Sequence, residues 1–101
     1  MSNLETVKLF YKGWENQDKS LLHLSENFFH KSPEGEFNSG KSFLDACWKY
    51  SGVKFKNKLF TVTGDNVYAT YEYDDRNNKM KISEKFYFED GLISKIEVSY
   101  E

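Results

Sequence analysis

The chain predicts an α+β fold in which helices come first and a curled antiparallel sheet follows, the two enclosing an apolar pocket. Apolar residues recur at three- and four-residue spacing in the first half and at two-residue spacing from Val53 onward, so the period changes from helical to extended. Hydrophobic residues make up 39% of the chain and aromatics alone 18%, so nearly half of the apolar material is large rings, which shape a cavity as readily as they fill one. A length of 101 residues suits one core, and a single domain over residues 1–101 is expected.

The elements follow in order. Ser2 with Glu5 fits a capping box, and Leu4, Val7, Phe10, Tyr11 and Trp14 fall on one helical face, which predicts helix 1 from about residue 3 to 15. Gly13 inside it weakens the helix by roughly 1 kcal/mol against Ala and so points to a close approach by another element. Asp18 is a good N-cap for a short second helix carrying Leu21, Leu22 and Leu24, followed by a brief extended segment, Asn27-Phe28-Phe29-His30, and a turn at Ser32-Pro33-Glu34-Gly35. A third helix is expected from near Ser39, with Phe43, Leu44, Cys47 and Trp48 on one face, stopping at Gly52.

Three runs of β-branched and aromatic residues, broken at Gly64-Asp65-Asn66, Asn77-Asn78 and Glu89-Asp90-Gly91, predict a four-stranded antiparallel meander. A two-residue turn at Asn77-Asn78 pairs Tyr73 with Ile82, Tyr71 with Glu84, Ala69 with Phe86 and Val67 with Phe88. A three-residue loop ending at Gly91 carries the same face onto Leu92, Ile96, Val98 and Tyr100, and Phe60 and Val62 have the matching parity.

Charge and composition exclude several functions. Fourteen basic against sixteen acidic residues, without a basic block, argue against nucleic acid as a partner. No stretch approaches the ~18 apolar residues of a membrane span and no leader pattern opens the chain, so a cytoplasmic protein with no membrane partner is expected. The glycines are scattered, with no phosphate-cradling loop, and no cofactor is expected. His23 and Glu26 have i, i+3 spacing, yet no further ligand lies nearby and no metal is expected. Cys47, the only cysteine, reads as an inert buried thiol, and Asp74, Asp75 and Arg76 as a solvated hairpin tip.

The order of parts, with the segments "YKGWENQDKSLLHLSENF", "SPEGEFNSGKSFLDACW" and "FEDGLISKIEV", resembles the nuclear-transport-factor-2-like superfamily, in its SnoaL-like and ketosteroid-isomerase-like branch, over essentially the whole chain. The resemblance implies a cone of three N-terminal helices on a curled sheet, open to a small apolar or polyketide-like molecule, and dimerisation through the outer sheet face. It also implies that Ser32 occupies the place of the isomerase branch's general-base carboxylate, Phe10 with Tyr11 adjacent that of its oxyanion-donating tyrosine, and Glu84 that of its protonated acid. Serine cannot act as that base, which disfavours steroid isomerisation.

Glu84 is the most informative residue, because Met80, Ile82, Phe86 and Phe88 share its parity and its carboxyl therefore faces the apolar side. It is either a pocket acid whose pKa burial raises or a carboxylate satisfied by Tyr71 or Lys58. His30, at the end of the extended segment, is the other candidate proton carrier, with a surface position as the plainer alternative. Tyr11, Trp48, Tyr71, Tyr73 and Phe86 are the expected ligand-binding residues, with Trp14 in the core. The leading expectation is a binder of a small, largely apolar molecule; the alternative is a cyclase, isomerase or dehydratase using Glu84 or His30. Leu59, Tyr68, Thr70 and Tyr87 point outward, and a homodimer through that face is expected.

Overall fold

The structure, a computed structural model, describes residues 1–75 and 78–100. Ser2 caps the first helix, α1 (Asn3–Glu15): its hydroxyl oxygen accepts the Glu5 amide at 3.1 Å, and its O–H donates to the Glu5 carboxylate at 3.2 Å. Thr6, Val7, Phe10, Tyr11, Gly13 and Trp14 form the buried face. A Cβ on Gly13 would stand 2.6 Å from the Asp18 carbonyl oxygen and 2.9 Å from Leu21 Cβ, so this glycine is where the following turn crosses the helix. Although Ala favours helix by about 1 kcal/mol, Gly13→Ala is expected to destabilise by about 1–3 kcal/mol, because the nearest atom is backbone. An unchanged denaturant midpoint would show that the turn moves freely.

The expected second helix does not form. Asp18 does cap, its carboxylate accepting the Ser20 amide at 3.0 Å, but only a single 3-10 turn (Lys19–Leu21) follows. His23 then adopts φ +51° and β1 (Leu24–Ser32) begins. The three leucines, which could share a helical face, separate here: Leu22 enters the core while Leu24 pairs with Ile93 of the sheet. The i, i+3 relation of His23 and Glu26, read on that helix, has no helix to rest on. Strand β1 turns through Pro33-Glu34 into β2 (Gly35–Phe37), with Ser32 opposite Gly35. Ser39 caps α2 (Gly40–Cys47), shorter than expected, because the chain tightens into a 3-10 turn (Trp48–Tyr50) before Gly52 at φ +91°. The described residues thus form two α-helices rather than three.

The meander forms as expected from β3 (Lys56–Thr63), β4 (Asn66–Asp75), β5 (Asn78–Glu89) and β6 (Leu92–Tyr100). It lies within a mixed six-stranded sheet of order β2-β1-β6-β5-β4-β3, in which β1 runs parallel to β6 and the other pairs are antiparallel. With β2 and β3 at its edges, the sheet does not close.

The register of β4 on β5 differs from the expected one by two residues: Tyr73 faces Met80, Tyr71 faces Ile82, Ala69 faces Glu84 and Val67 faces Phe86. Asp75 pairs with Asn78, while the expected turn at Asn77-Asn78 and the tip residue Arg76 fall at or outside the described residues. A shift of two preserves side-chain parity, so every inward residue stays inward. The β5–β6 loop has two residues, Asp90 and Gly91, both left-handed (φ +52° and +78°), not three. Leu92 consequently points out and Ile93 in. A bulge opposite Tyr87 and Phe88 skips Ser94, so that Ile96 returns to the buried side. In β3, Phe60 is half-buried while Val62, near the edge, is exposed. The core sits between α1 and the inner sheet face, where Phe10 and Tyr11 pack on Phe86 at 5.5 and 5.7 Å between ring centroids.

Candidate functional site

Between the helices and the inner sheet face lies a pocket of about 590 Å³, within the range of small-molecule sites. Helix α1 supplies Phe10, Tyr11 and Trp14; the β1–β2 hairpin supplies His30, Ser32, Glu34 and Phe37. Phe43, Ala46 and Cys47 come from α2, Tyr71 and Tyr73 from β4, Met80, Ile82 and Glu84 from β5, and Val98 and Tyr100 from β6. Gly35, Tyr50 and Phe55 complete the wall, so half of the twenty lining residues among those described are Phe, Tyr or Trp.

Glu84 is 7% exposed and sits opposite Ala69, whose small side chain leaves room for Tyr71, one inward position along β4, to reach across. The Tyr11 hydroxyl donates to Glu84 Oε1 at 2.7 Å, and the Tyr71 hydroxyl stands beside the same carboxyl. Burial raises the Glu84 pKa above the ordinary carboxyl value, against the pull of the two hydroxyls. Burial, and then the neighbouring Glu84, raise both tyrosines. Lys58, the expected ion partner, is engaged elsewhere: its ammonium meets Glu15 Oε1 at 2.7 Å, while Glu15 Oε2 accepts the Phe55 amide at 2.9 Å. The buried cluster is therefore an acid between two phenols, able to hold a proton at Glu84 or present it to a ligand's oxygen or nitrogen.

His30 is not a surface residue. At 8% exposed, it stacks on Phe43 with centroids 4.5 Å apart and planes 20° apart, and its Nδ1 has no hydrogen-bond partner. Burial lowers its pKa to about 4, so the ring is neutral at pH 7. The neutral tautomer that protonates Nε2 leaves a buried acceptor rather than a buried donor unsatisfied at Nδ1.

Of the expected ligand-binding residues, Tyr11, Tyr71 and Tyr73 line the pocket, and Trp48 and Phe86 do not. Trp48 packs edge-on against Trp14 at 5.1 Å with the Lys19 ammonium 5.2 Å from its ring, while Trp14 lies in the core as expected and also reaches the pocket wall. Trp48 leaves the pocket wall because α2 ends at Cys47, and the 3-10 turn carries it away from the helix's apolar face. Phe86 is wholly buried behind Phe10 and Tyr11. Sequence reasoning did not single out Phe37, Phe43, Phe55, Glu34 or Tyr100 as pocket residues. Phe43 carried a signal in the apolar face of its helix, but Glu34, in a proline turn, carried none. Cys47, half-buried with its thiol pKa pushed up by burial, also lines the pocket.

No family model matches the chain, and no curated protein matches it. Solved structures do. An NTF2-like protein of unknown function from Cytophaga hutchinsonii aligns over 100% of this chain and 91% of its own, with TM-score 0.86 and 16% identity. A candidate polyketide cyclase from Pseudomonas putida aligns over 100% and 92%, with TM-score 0.80 and 19% identity. A protein of unknown function with a cystatin-like fold, from Xanthomonas campestris, aligns over 99% and 91%, with TM-score 0.80 and 18% identity. The chain therefore has the nuclear-transport-factor-2-like fold.

Proposed function

We propose that this chain binds a small, largely apolar molecule in the pocket, oriented by hydrogen bonds at Glu84 and Tyr11. The observation that carries the reading is a buried carboxyl, bonded by a tyrosine and without an ion partner among the hydrogen bonds and salt bridges described, placed on the wall of a cavity lined by rings. Such a group is costly to hold in an apolar wall, and acids perturbed in this way cluster at functional sites. The neutral dye Nile red is expected to bind saturably at one site per chain and to slow alkylation of Cys47, whose thiol shares the cavity. Absence of saturable binding would sink the proposal.

A second reading, an enzyme of the cyclase, isomerase or dehydratase kind, draws support from two titratable groups on one pocket wall that burial perturbs, Glu84 up and His30 down. Ser32, which holds the position of the isomerase branch's base, caps its own turn by accepting the Glu34 amide at 3.2 Å, and this favours binding over isomerisation.

The same proposal includes a cytoplasmic single-domain homodimer joined by the outer sheet face. Leu59 and Tyr68 are 68% and 38% exposed there, and the Lys85 ammonium lies 5.2 and 4.9 Å from the Tyr68 and Tyr87 rings. An isologous contact would cover this strip. Sedimentation equilibrium should give a dimer at micromolar concentration that Tyr87→Glu weakens; a monomer throughout would contradict it. Among the described residues no helix is long and apolar enough to cross a membrane.

A further inference from the structure

We infer that the occupant of this pocket is an organic cation, an ammonium group carried on an aromatic or polycyclic body. The inference rests on the small-molecule reading above and specifies its chemistry. Two carboxyl groups, Glu34 and Glu84, are among the lining residues, and among the described residues no lysine or arginine is. Two lysines approach lining rings without themselves lining the pocket: Lys58, 6.0 Å from the Tyr11 ring, is held by Glu15 at 2.7 Å, and Lys49 lies 5.2 Å from the Tyr50 ring. The walls themselves present ring faces, whose quadrupoles are negative and attract a cation.

Geometry and electrostatics agree on the sign. The Tyr71 hydroxyl is shifted upward by burial and then by Glu84; that of Tyr100 is shifted upward by burial, then by Glu34, and further by Glu84. The two carboxyls therefore act on tyrosines of the β4 and β6 walls, while at Cys47 on α2 Lys49 acts in the opposite sense. His30 adds no positive charge at neutral pH, since its ring is deprotonated there. An anionic ligand would meet two acids and the negative faces of the rings. A neutral ligand would gain no charge–charge contact with Glu84. An ammonium supplies that counter-charge, ionises Glu84 on entry and gains the ring faces, so its binding energy draws on features that the other two classes cannot use.

Three matched fluorescent probes test this on the full chain: 9-(aminomethyl)anthracene, 9-anthracenemethanol and 9-anthracenecarboxylate, titrated at pH 7. The amine is expected to bind at least tenfold more tightly than the alcohol, with the carboxylate weakest. Glu84→Gln, nearly isosteric, should reduce the preference for amine over alcohol to less than about threefold, by weakening the amine more than the alcohol. Glu34→Gln, at an exposed position, should reduce the preference by a smaller factor and serves where the Glu84 variant folds poorly. An alcohol that binds as tightly as the amine, or an amine preference that survives both substitutions, overturns the inference. Saturable Nile red binding with no binding of any anthracene overturns it and leaves the pocket reading standing; failure of Nile red as well overturns both.

Discussion

Phe86→Ala is expected to cost about 3–5 kcal/mol of stability, the largest effect of any single substitution considered, because Phe86 is 0% exposed and its ring packs against both Phe10 and Tyr11. In a chain of 101 residues that loss is a large share of the whole. Tyr73→Phe, which alters a half-buried pocket residue, should change stability by less than about 1 kcal/mol. The contrast, measured by denaturant unfolding, separates residues that build the cone from those that line it. A mild effect at Phe86 would mean that its ring is replaceable and the core lies elsewhere.

The second large effect concerns acid. His30 titrates near its ordinary value of 6.5 when unfolded and at about 4 when folded, so between these values the unfolded chain binds more protons. Its contribution to stability is therefore complete above about pH 6.5 and is lost as the pH falls towards 4, by about 3 kcal/mol over the window. Glu84 acts in the opposite sense. Its folded pKa is raised, so its contribution is complete below its ordinary value of 4.5 and is lost as the pH rises through the folded pKa. The two slopes oppose each other in the wild-type chain, and variants expose them. Glu84→Gln should lose stability steeply on acidification, whereas His30→Phe, which keeps a ring on Phe43, should become more stable as the pH drops from 7 to 5. Parallel pH profiles for the two variants would refute the assignment of both groups.

Much of this was legible in the sequence, for identifiable reasons. The α1 cap and buried face follow from Ser2, Glu5 and a clean helical period, and Gly13 marked a close approach that the Asp18 carbonyl makes. The inward orientation of Glu84 depended only on parity, which survived a register shifted by two residues. What sequence could not supply came from long-range pairing. The leucines after Asp18 have helical character, but the parallel partnership with β6 claims Leu24, and nothing local announces a parallel strand. Likewise the bulge at Ser94 that returns Ile96 to the buried side has no local sequence mark. The end of α2 at Cys47 decided which tryptophan faces the pocket, and helix ends are legible only to within a residue or two. Lys58 shares Glu84's parity, yet its partner is Glu15 on a helix, a pairing that strand parity alone cannot show.

The account turns on Glu84 being a buried acid on the pocket wall, held by tyrosines and not by an ammonium. The most direct measurement is the pH titration of its side-chain carboxyl by carbon-detected NMR, assigned with Glu84→Gln. A midpoint clearly above the ordinary 4.5, moving higher still in Tyr11→Phe as the 2.7 Å hydrogen bond is removed, is the predicted result. A midpoint at or below 4.5, indifferent to Tyr11, would contradict it.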